Sequence, residues 1–292
     1  MFKTLLRRTL TLSLVLIGSG LYVAGASLAT AETDPKPPET SSSMESENVP
    51  IKDVKELEEV LEKKDCKLEQ ISQKDVEVPR IFVSNFPKDM KNVKNRQTKK
   101  DVFAQVLLPI ILHENEIILK ERAYILELKK NSDQGKPLKH HESAWLDKIC
   151  EKYKLKVMSF DELLLRVDTI PPSLALGQAT IESGMGISYA ALKKNSPFGM
   201  TVSQKVLAYK SLSESVFAYM RNLNSNNAYK TMRKTRAELR KANKDVDGNA
   251  LIGDLIAYCE TGKPYIQQVR SAIRSNNLTQ YDGMNLAPEG KA

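Results

Sequence analysis

Apolar residues recur at helical spacing through most of the chain after residue 50, and almost no segment alternates with period two. The longest helical stripe covers residues 99–130 and contains Pro109, which we expect to kink or split the helix. Shorter helical patterns occur at 53–67, 141–153, 159–170, 172–183, 211–243 and 248–277. The last two segments are each long enough for two helices, and the final pair hinges near Gly262 and Pro264. The pattern predicts a mainly α protein.

The N-terminal residues 1–31 have the three parts of a secretory signal: a basic tip, an apolar run and the small-residue sequence Ala29-Thr30-Ala31. We expect cleavage after Ala31 and a periplasmic or secreted mature protein. An uncleaved membrane anchor is the alternative, because the run 10–29 is long enough to span a bilayer. No later segment is expected to cross a membrane. Residues 32–50 are rich in Pro, Ser, Thr and Glu, which predicts a disordered linker.

The formal net charge is mildly basic. It is +8 for the whole chain and falls to +5 when Lys3, Arg7 and Arg8 are removed with the signal. This excess favours an anionic partner such as a cell-wall glycan or a membrane surface. A nucleic-acid partner is not expected, because no basic cluster is interleaved with aromatic residues.

The chain has three cysteines, Cys66, Cys150 and Cys259, so at most one intramolecular disulfide can form. No pair of them has the spacing of zinc ligands, and no histidine is set beside any of them. We therefore expect structural or incidental thiols, and no metal or organic cofactor.

The segment 174–186, "LALGQATIESGMG", reads as a helix that stops at Gly184, a residue suited to a left-handed cap. Glu182 lies in the last turn of this helix, where unpaired carbonyl groups carry partial negative charge. These carbonyls and apolar neighbours such as Ile181 are expected to raise the pKa of Glu182. A carboxylic acid that stays protonated near neutral pH is the general acid that a glycosidase needs. The alternative is an ordinary solvated glutamate at a frayed helix end.

The wider context of Glu182 resembles a known family. Residues 167–200, "VDTIPPSLALGQATIESGMGISYAALKKNSPFGM", and the later "YMRNLN…AY" are similar to the Bax-like branch of the glucosaminidase family. Upstream, "LLPIILHENEIILKER" is similar to the helical prefix of that branch, and downstream "LIAYCETGKPYIQQVRSAIRSNNL" is similar to its tail. The resemblance covers residues 78–282. It implies an exported enzyme that cleaves peptidoglycan glycan strands next to N-acetylglucosamine.

The resemblance also implies a fold and a set of site residues. The fold is a lysozyme-like α lobe with a reduced β lobe and an N-terminal helical extension. Glu182 matches the catalytic glutamate, and Tyr258 or Tyr265 matches the tyrosine that faces it, with Tyr258 preferred. The matching substrate-binding positions are Asn195, Phe198, Gly199 and Tyr229, of which the aromatic residues could equally be core side chains and Asn195 a turn residue.

The chain departs from the family at some positions. Met185 stands where the family usually has a tryptophan, and Tyr189 and Ala190 replace a bulky pair. The segment 183–213 contains no Asp or Glu, so the β lobe supplies no second carboxylate. Glu214 and Glu260 are candidates further along the chain. We favour a mechanism in which the 2-acetamido group of the substrate is the nucleophile.

The sequence thus divides into a signal (1–31), a linker (32–50), a helical N-terminal extension (51–155), a glucosaminidase domain (156–283) and a flexible tail (284–292). Two alternatives to an N-acetylglucosaminidase remain. The first is a lytic transglycosylase, which also works with one glutamate. The second is a peptidoglycan-binding or scaffolding protein that has lost turnover.

Overall fold

Helices make up most of the part of the chain that the computed structural model describes, which is residues 37–38, 48–73 and 77–289. The α-helices are α1 (Val54–Glu62), α2 (Arg96–Asp133), α3 (His140–Lys152), α4 (Phe160–Arg166), α5 (Pro172–Ser183), α6 (Tyr189–Lys194), α7 (Leu212–Ser225), α8 (Lys230–Lys241), α9 (Gly248–Leu251) and α10 (Lys263–Ser275). Among the described residues the sheet consists of β1 (Thr201–Val202) and β2 (Lys205–Val206). The predicted mainly α, lysozyme-like class is confirmed. The predicted signal and most of the predicted linker lie outside the described residues.

Helix α2 is the longest element of the core, and Pro109 was expected to kink or split it. The split is wrong, and the kink stays a prediction. The helix is continuous over 38 residues, and residues 101–112 are all buried. It packs against α4, α5 and α7. Proline in a helix interior costs about 3 kcal/mol, and the burial of this apolar stretch outweighs that cost.

By length and apolar composition, α2 is also the one helix among the described residues that could span a membrane, which the sequence analysis did not expect. Its most apolar window is 78% buried inside the protein. The apolar stretch is therefore explained by burial in the core.

Short polar side chains set the helix starts that position the site. The Ser159 hydroxyl accepts a hydrogen bond from the Glu162 amide at the start of α4, as the capping-box spacing predicts. The Ser211 hydroxyl accepts from the Glu214 amide in the same way at the start of α7. Helix α5 begins with Pro172 in its first turn, where the missing N–H is of no consequence.

The β lobe is reduced to one antiparallel hairpin. Thr201 pairs with Val206 and Val202 pairs with Lys205. The two turn residues, Ser203 and Gln204, both have positive φ, as a two-residue hairpin turn requires.

Two C-terminal segments differ from their expected form. The sequence predicts a pair of helices in residues 248–277. In place of the first helix of this pair, the structure has the single turn of α9, followed by 3-10 turns at Ile252–Asp254 and Ile256–Tyr258. Residues 285–287, placed in a flexible tail by the sequence, are instead hydrogen bonded to both backbone groups of Val78. The Leu286 side chain is buried, which explains why this segment stays on the core. The boundary between residues 155 and 156 stays a prediction.

Candidate active site

Helix α5 carries Glu182 to the edge of the hairpin. At its start, the backbone amide and hydroxyl of Ser173 both donate to the Asp282 carboxylate, at 2.7 and 2.6 Å. At its end, Gly184 has φ of 59° and closes the helix in the left-handed conformation, as predicted. Glu182 therefore lies one turn beyond Gln178 on the same face of a helix that is fixed at both ends.

The Glu182 carboxyl is half-buried, and burial raises its pKa. The Tyr265 hydroxyl is within hydrogen-bonding reach and acts in the opposite direction, because it stabilises the charged form. The predicted rise in the pKa of Glu182 thus agrees with the structure. The main cause of the rise is desolvation by burial, and not the helix carbonyls.

Gly199 lies directly against Glu182. Its φ is +62°, and a Cβ added there would contact Oε2 of Glu182 and lie 3.2 Å from Cδ. Only glycine combines this backbone conformation with this close approach. The predicted assignment of Gly199 to the wall of the site therefore fits the geometry.

A chain of buried hydrogen bonds leads to Glu182 from the core. The Tyr219 hydroxyl donates to Oε1 of Gln178 at 2.8 Å, and Nε2 of Gln178 donates to the Tyr265 hydroxyl at 2.9 Å. Tyr265 then has its proton free to donate to Glu182. Gln178 and Tyr219 are fully buried and Tyr265 nearly so, which fixes the direction of every donor in the chain.

Of the two candidate tyrosines, Tyr265 and not Tyr258 brings its hydroxyl to Glu182. The Tyr258 hydroxyl donates to the backbone carbonyl of Phe198 at 2.9 Å. The Tyr258 ring stacks on the Tyr265 ring with centroids 5.7 Å apart. The preference for Tyr258 from the sequence is therefore wrong in its geometry, because α10 and not the preceding 3-10 turn faces the last turn of α5.

Two predicted sugar contacts are core side chains. The Phe198 ring is 1% exposed and stacks on Tyr219 with centroids 3.9 Å apart. The Tyr229 ring is 6% exposed and packs against Tyr258 at 6.1 Å. Neither face of Phe198 is open to a pyranose, so what it brings to the site is its backbone carbonyl.

The Asn195 side chain is used by the fold. Asn195 ends α6 with φ of 49°, and its Nδ2 donates to the carbonyls of Tyr209 and Lys210 at 3.3 and 3.2 Å. These bonds hold the chain that returns from the hairpin. The structure thus favours the turn alternative for Asn195 over a contact with the acetamido group.

The two candidate second carboxylates are placed differently from Glu182. Oε2 of Glu214 accepts from the Lys210 amide at 2.7 Å and so belongs to the capped start of α7. Glu260 is exposed in the turn before α10. No second carboxylate among the described residues contributes to the raised pKa of Glu182.

The sequence analysis missed Gln178 and Tyr219. Gln178 could have been found from its position four residues before Glu182, and Tyr219 from its place in "YMRNLN".

Cys66, Cys150 and Cys259 all fall in the described part of the chain and are free thiols. In the part of the chain that the structure describes, no group of three or more His, Cys, Asp or Glu side chains is placed to hold a metal ion.

Comparison with known proteins agrees with this geometry. Residues 159–278 match the glucosaminidase family model, which is described as mannosyl-glycoprotein endo-β-N-acetylglucosaminidase. The chain is 34% identical over 205 residues to Protein bax of Escherichia coli strain K12, and the match covers 64% of this chain and 73% of that protein. No solved structure matches the chain. The matched domain indicates a glycosidase-like protein that acts on peptidoglycan. The chain belongs to the Bax-like branch of the glucosaminidase family.

Proposed function

We propose that the protein is an exported N-acetylglucosaminidase that hydrolyses peptidoglycan glycan strands next to N-acetylglucosamine, with Glu182 as the general acid. The observation that carries this proposal is the half-buried carboxyl at the end of α5. Its burial raises its pKa. Such a group keeps its proton at higher pH than a solvated glutamate does and can protonate a departing glycosidic oxygen. The lack of a side chain at Gly199 lets the backbone lie against this carboxyl without displacing it.

The substrate itself supplies the second group in this mechanism. A pair of carboxylates is the usual arrangement, but residues 183–213 contain none and Glu214 is engaged in a helix cap. The carbonyl oxygen of the 2-acetamido group attacks the anomeric carbon while Glu182 gives its proton to the leaving oxygen. The glycosidic C–O bond breaks and a cyclic oxazolinium ion forms.

Water completes the reaction. It attacks the anomeric carbon of the oxazolinium ion, and the Glu182 carboxylate takes its proton. The ring opens, the acetamido group is restored and Glu182 is again protonated. Because the anomeric carbon is inverted twice, the product keeps the configuration of the substrate.

Tyr265 is a positioning residue in this account. It holds the Glu182 carboxyl in one orientation, and Gln178 and Tyr219 hold Tyr265. Tyr258 fixes the carbonyl of Phe198, which precedes Gly199, and so sets how closely the hairpin approaches the acid.

Product analysis tests the proposed reaction. Purified peptidoglycan is incubated with the protein, and the released fragments are analysed by reducing-end assay and mass spectrometry. We expect new reducing ends on N-acetylglucosamine. Anhydro ends, one water lighter, would identify a lytic transglycosylase. Co-sedimentation with peptidoglycan without any new ends would identify a binding protein.

The use of the acetamido group has its own test. Glycan strands from which the N-acetyl groups have been removed lack the proposed nucleophile, so we expect them to resist cleavage while re-acetylated strands regain it. Equal cleavage of both would overturn substrate assistance and point to a second carboxylate.

The proposal includes location outside the cytoplasm. Its support is the signal-like sequence of residues 1–31, together with the extracellular position of peptidoglycan. N-terminal sequencing of the protein recovered from cells tests it, and we expect a mature chain that begins after Ala31. Recovery of the intact N-terminus in the membrane fraction would instead identify the segment as an anchor.

A further inference from the structure

An uncompensated basic segment precedes and begins α2. Residues 88–100 contain six cationic side chains and one acid, Asp89, whose carboxylate accepts from the Val54 amide at 3.0 Å. The six cations form no ion pair within the described parts of the chain. They are Lys88, Lys91, Lys94, Arg96, Lys99 and Lys100. We call residues 88–100 the basic segment.

The basic segment lies beside the end of the catalytic helix. Phe86, just before it, packs so closely on Gly186 that a Cβ on Gly186 would lie 2.8 Å from the Phe86 ring. Gly186 is four residues after Glu182 and follows the turn that ends α5. The unpaired positive charge therefore begins next to the site and not at a remote surface.

A cavity of about 210 Å³ connects the basic segment with α5. Gln97, Lys100 and Phe103 of α2 line one side, and Leu176, Thr180 and Met185 line the other. The rest of the wall comes from Ala104 and from residues 275–278 and 280–281. The Ser275 carbonyl there accepts from Nζ of Lys100 at 3.3 Å. Both apolar and polar groups face this space, so it suits a ligand with small apolar side chains and a polar backbone.

The cavity and Glu182 lie on different faces of α5. Leu176 and Thr180 are one turn apart on one face, and Gln178 and Glu182 are one turn apart on the other. Met185, which follows the end of the helix, borders the cavity as well. A ligand that reaches both places must therefore pass around the end of α5, a distance of about 10–12 Å for the width of a helix.

We propose that the basic segment and this cavity bind the carboxylate-bearing peptide substituents of the glycan while the sugar chain lies at Glu182. This inference rests on the proposed function, since peptidoglycan is a glycan that carries short peptides with free carboxylates. An extended peptide of four residues spans about 13 Å, enough to pass the end of α5. Unpaired lysine and arginine side chains complement its negative charge.

An anionic membrane surface is the other ligand with this charge, and the segment is poorly built for it. Its two apolar side chains are Met90, which is fully buried, and Val93, which is half-buried. A membrane-binding segment needs exposed apolar side chains to insert below the headgroups. The adjoining cavity, in contrast, offers a place for peptide side chains.

Binding to peptidoglycan with and without its peptides tests the inference. The triple variant Lys94→Glu, Arg96→Glu, Lys99→Glu is compared with Lys130→Glu, Lys136→Glu, Lys148→Glu. This control makes an equal charge change toward the other end of α2, at least about 30 Å away along the helix. Both are made in Glu182→Gln protein, so that the polymer stays intact. Affinity is measured on immobilised, uncross-linked glycan strands that carry their peptides and on the same strands after an amidase has removed the peptides, because strands without cross-links do not sediment. Melting temperatures check that both variants fold.

We expect the Glu182→Gln parent to bind peptide-bearing material about tenfold more tightly than stripped material, and this preference to shrink at high salt. The first triple variant should lose the preference, and the distant variant should keep it. Equal binding of the parent to both materials would overturn the inference. So would a loss by the first variant that is the same for both materials. Vesicles containing phosphatidylglycerol are a third ligand, and a loss of binding by the first variant that is confined to these vesicles would identify a membrane site and also overturn the inference.

The result is distinguishable from failure of the proposed function. If wild-type protein prefers peptide-bearing material through the basic segment but forms no new chain ends, the enzyme assignment fails and the peptide contact stands. If wild-type protein forms new ends at equal rates on both materials and shows no binding preference, the enzyme assignment stands and the peptide contact is overturned.

Discussion

The backbone of Gly199 lies against the carboxylate of Glu182, so the hairpin and the end of α5 meet without a side chain between them. We predict that Gly199→Ala lowers kcat by about 100-fold, because the new methyl group displaces the carboxylate from its productive position. The positive φ adds about 1 kcal/mol of backbone strain. Reducing-end rates and urea unfolding measure the two effects.

Gly135→Ala is the matched control for that prediction. Gly135 also has positive φ, +76°, but a Cβ there would have no neighbour within 4 Å. It should cost a similar free energy of unfolding and leave the rate unchanged. Equal losses of activity in both variants would show that the contact with Glu182 has no special effect.

Tyr265→Phe is predicted to move the pH dependence of the reaction. Removing the hydroxyl takes a hydrogen-bond donor from the charged form of Glu182, so the pKa of Glu182 rises further. The high-pH limb of the kcat profile should shift to higher pH, and kcat should fall by about tenfold or more as the acid loses its orientation. Tyr258→Phe removes a hydroxyl that bonds to Phe198 and should leave that limb in place. A shift in Tyr258→Phe alone would contradict the assignment.

Gln178→Leu is predicted to destabilise the fold as well as the site. It leaves the Tyr219 hydroxyl without its acceptor and the Tyr265 hydroxyl without its donor, both in the core. The expected loss is about 2–4 kcal/mol in the free energy of unfolding, measured in urea. Adding Tyr219→Phe removes one unsatisfied group. The double variant should therefore lose less free energy of unfolding than the sum of the losses in the two single variants. Strict additivity would count against the hydrogen-bond chain.

Local signals in the sequence were sufficient for α5 and its acid. The proline start, the Gly184 stop and the position of Glu182 depend on neighbours within one or two turns. Local signals could not decide between Tyr258 and Tyr265 as the partner of Glu182, because Tyr265 comes from α10 and meets the acid only after packing. The same limit explains the error at Phe198: its residue type fits both a sugar platform and a core ring, and only the stacking on Tyr219 decides between them.

The buried carboxyl of Glu114 makes stability depend on pH. Burial raises the pKa of Glu114 to about 7, with Lys152 opposing the rise, and Oε1 of Glu114 is without a hydrogen-bond partner. Since the folded state holds this proton more tightly than the unfolded state does, the contribution of Glu114 is fully present below about pH 4.5. It is lost as the pH rises to about 7, and the loss is on the order of 3 kcal/mol.

Glu114→Gln should therefore unfold with a weaker pH dependence and be more stable than wild type at pH 8. Glu127→Gln, on a partly exposed position of the same helix, is the matched control and should follow the wild-type curve. Urea unfolding between pH 4 and pH 8 gives both curves. Parallel curves for wild type and Glu114→Gln would contradict the prediction.

Glu182→Gln tests the central claim most directly. The amide is nearly the same size as the carboxyl and keeps a hydrogen-bonding group near Tyr265, but it cannot give a proton to the leaving oxygen. On purified peptidoglycan we predict that the rate of new reducing ends falls by at least about 100-fold, the lower range for loss of a general acid. Glu214→Gln and Glu260→Gln remove the other two candidate carboxylates and should retain most of the activity. Undiminished release of reducing ends by Glu182→Gln would contradict the account.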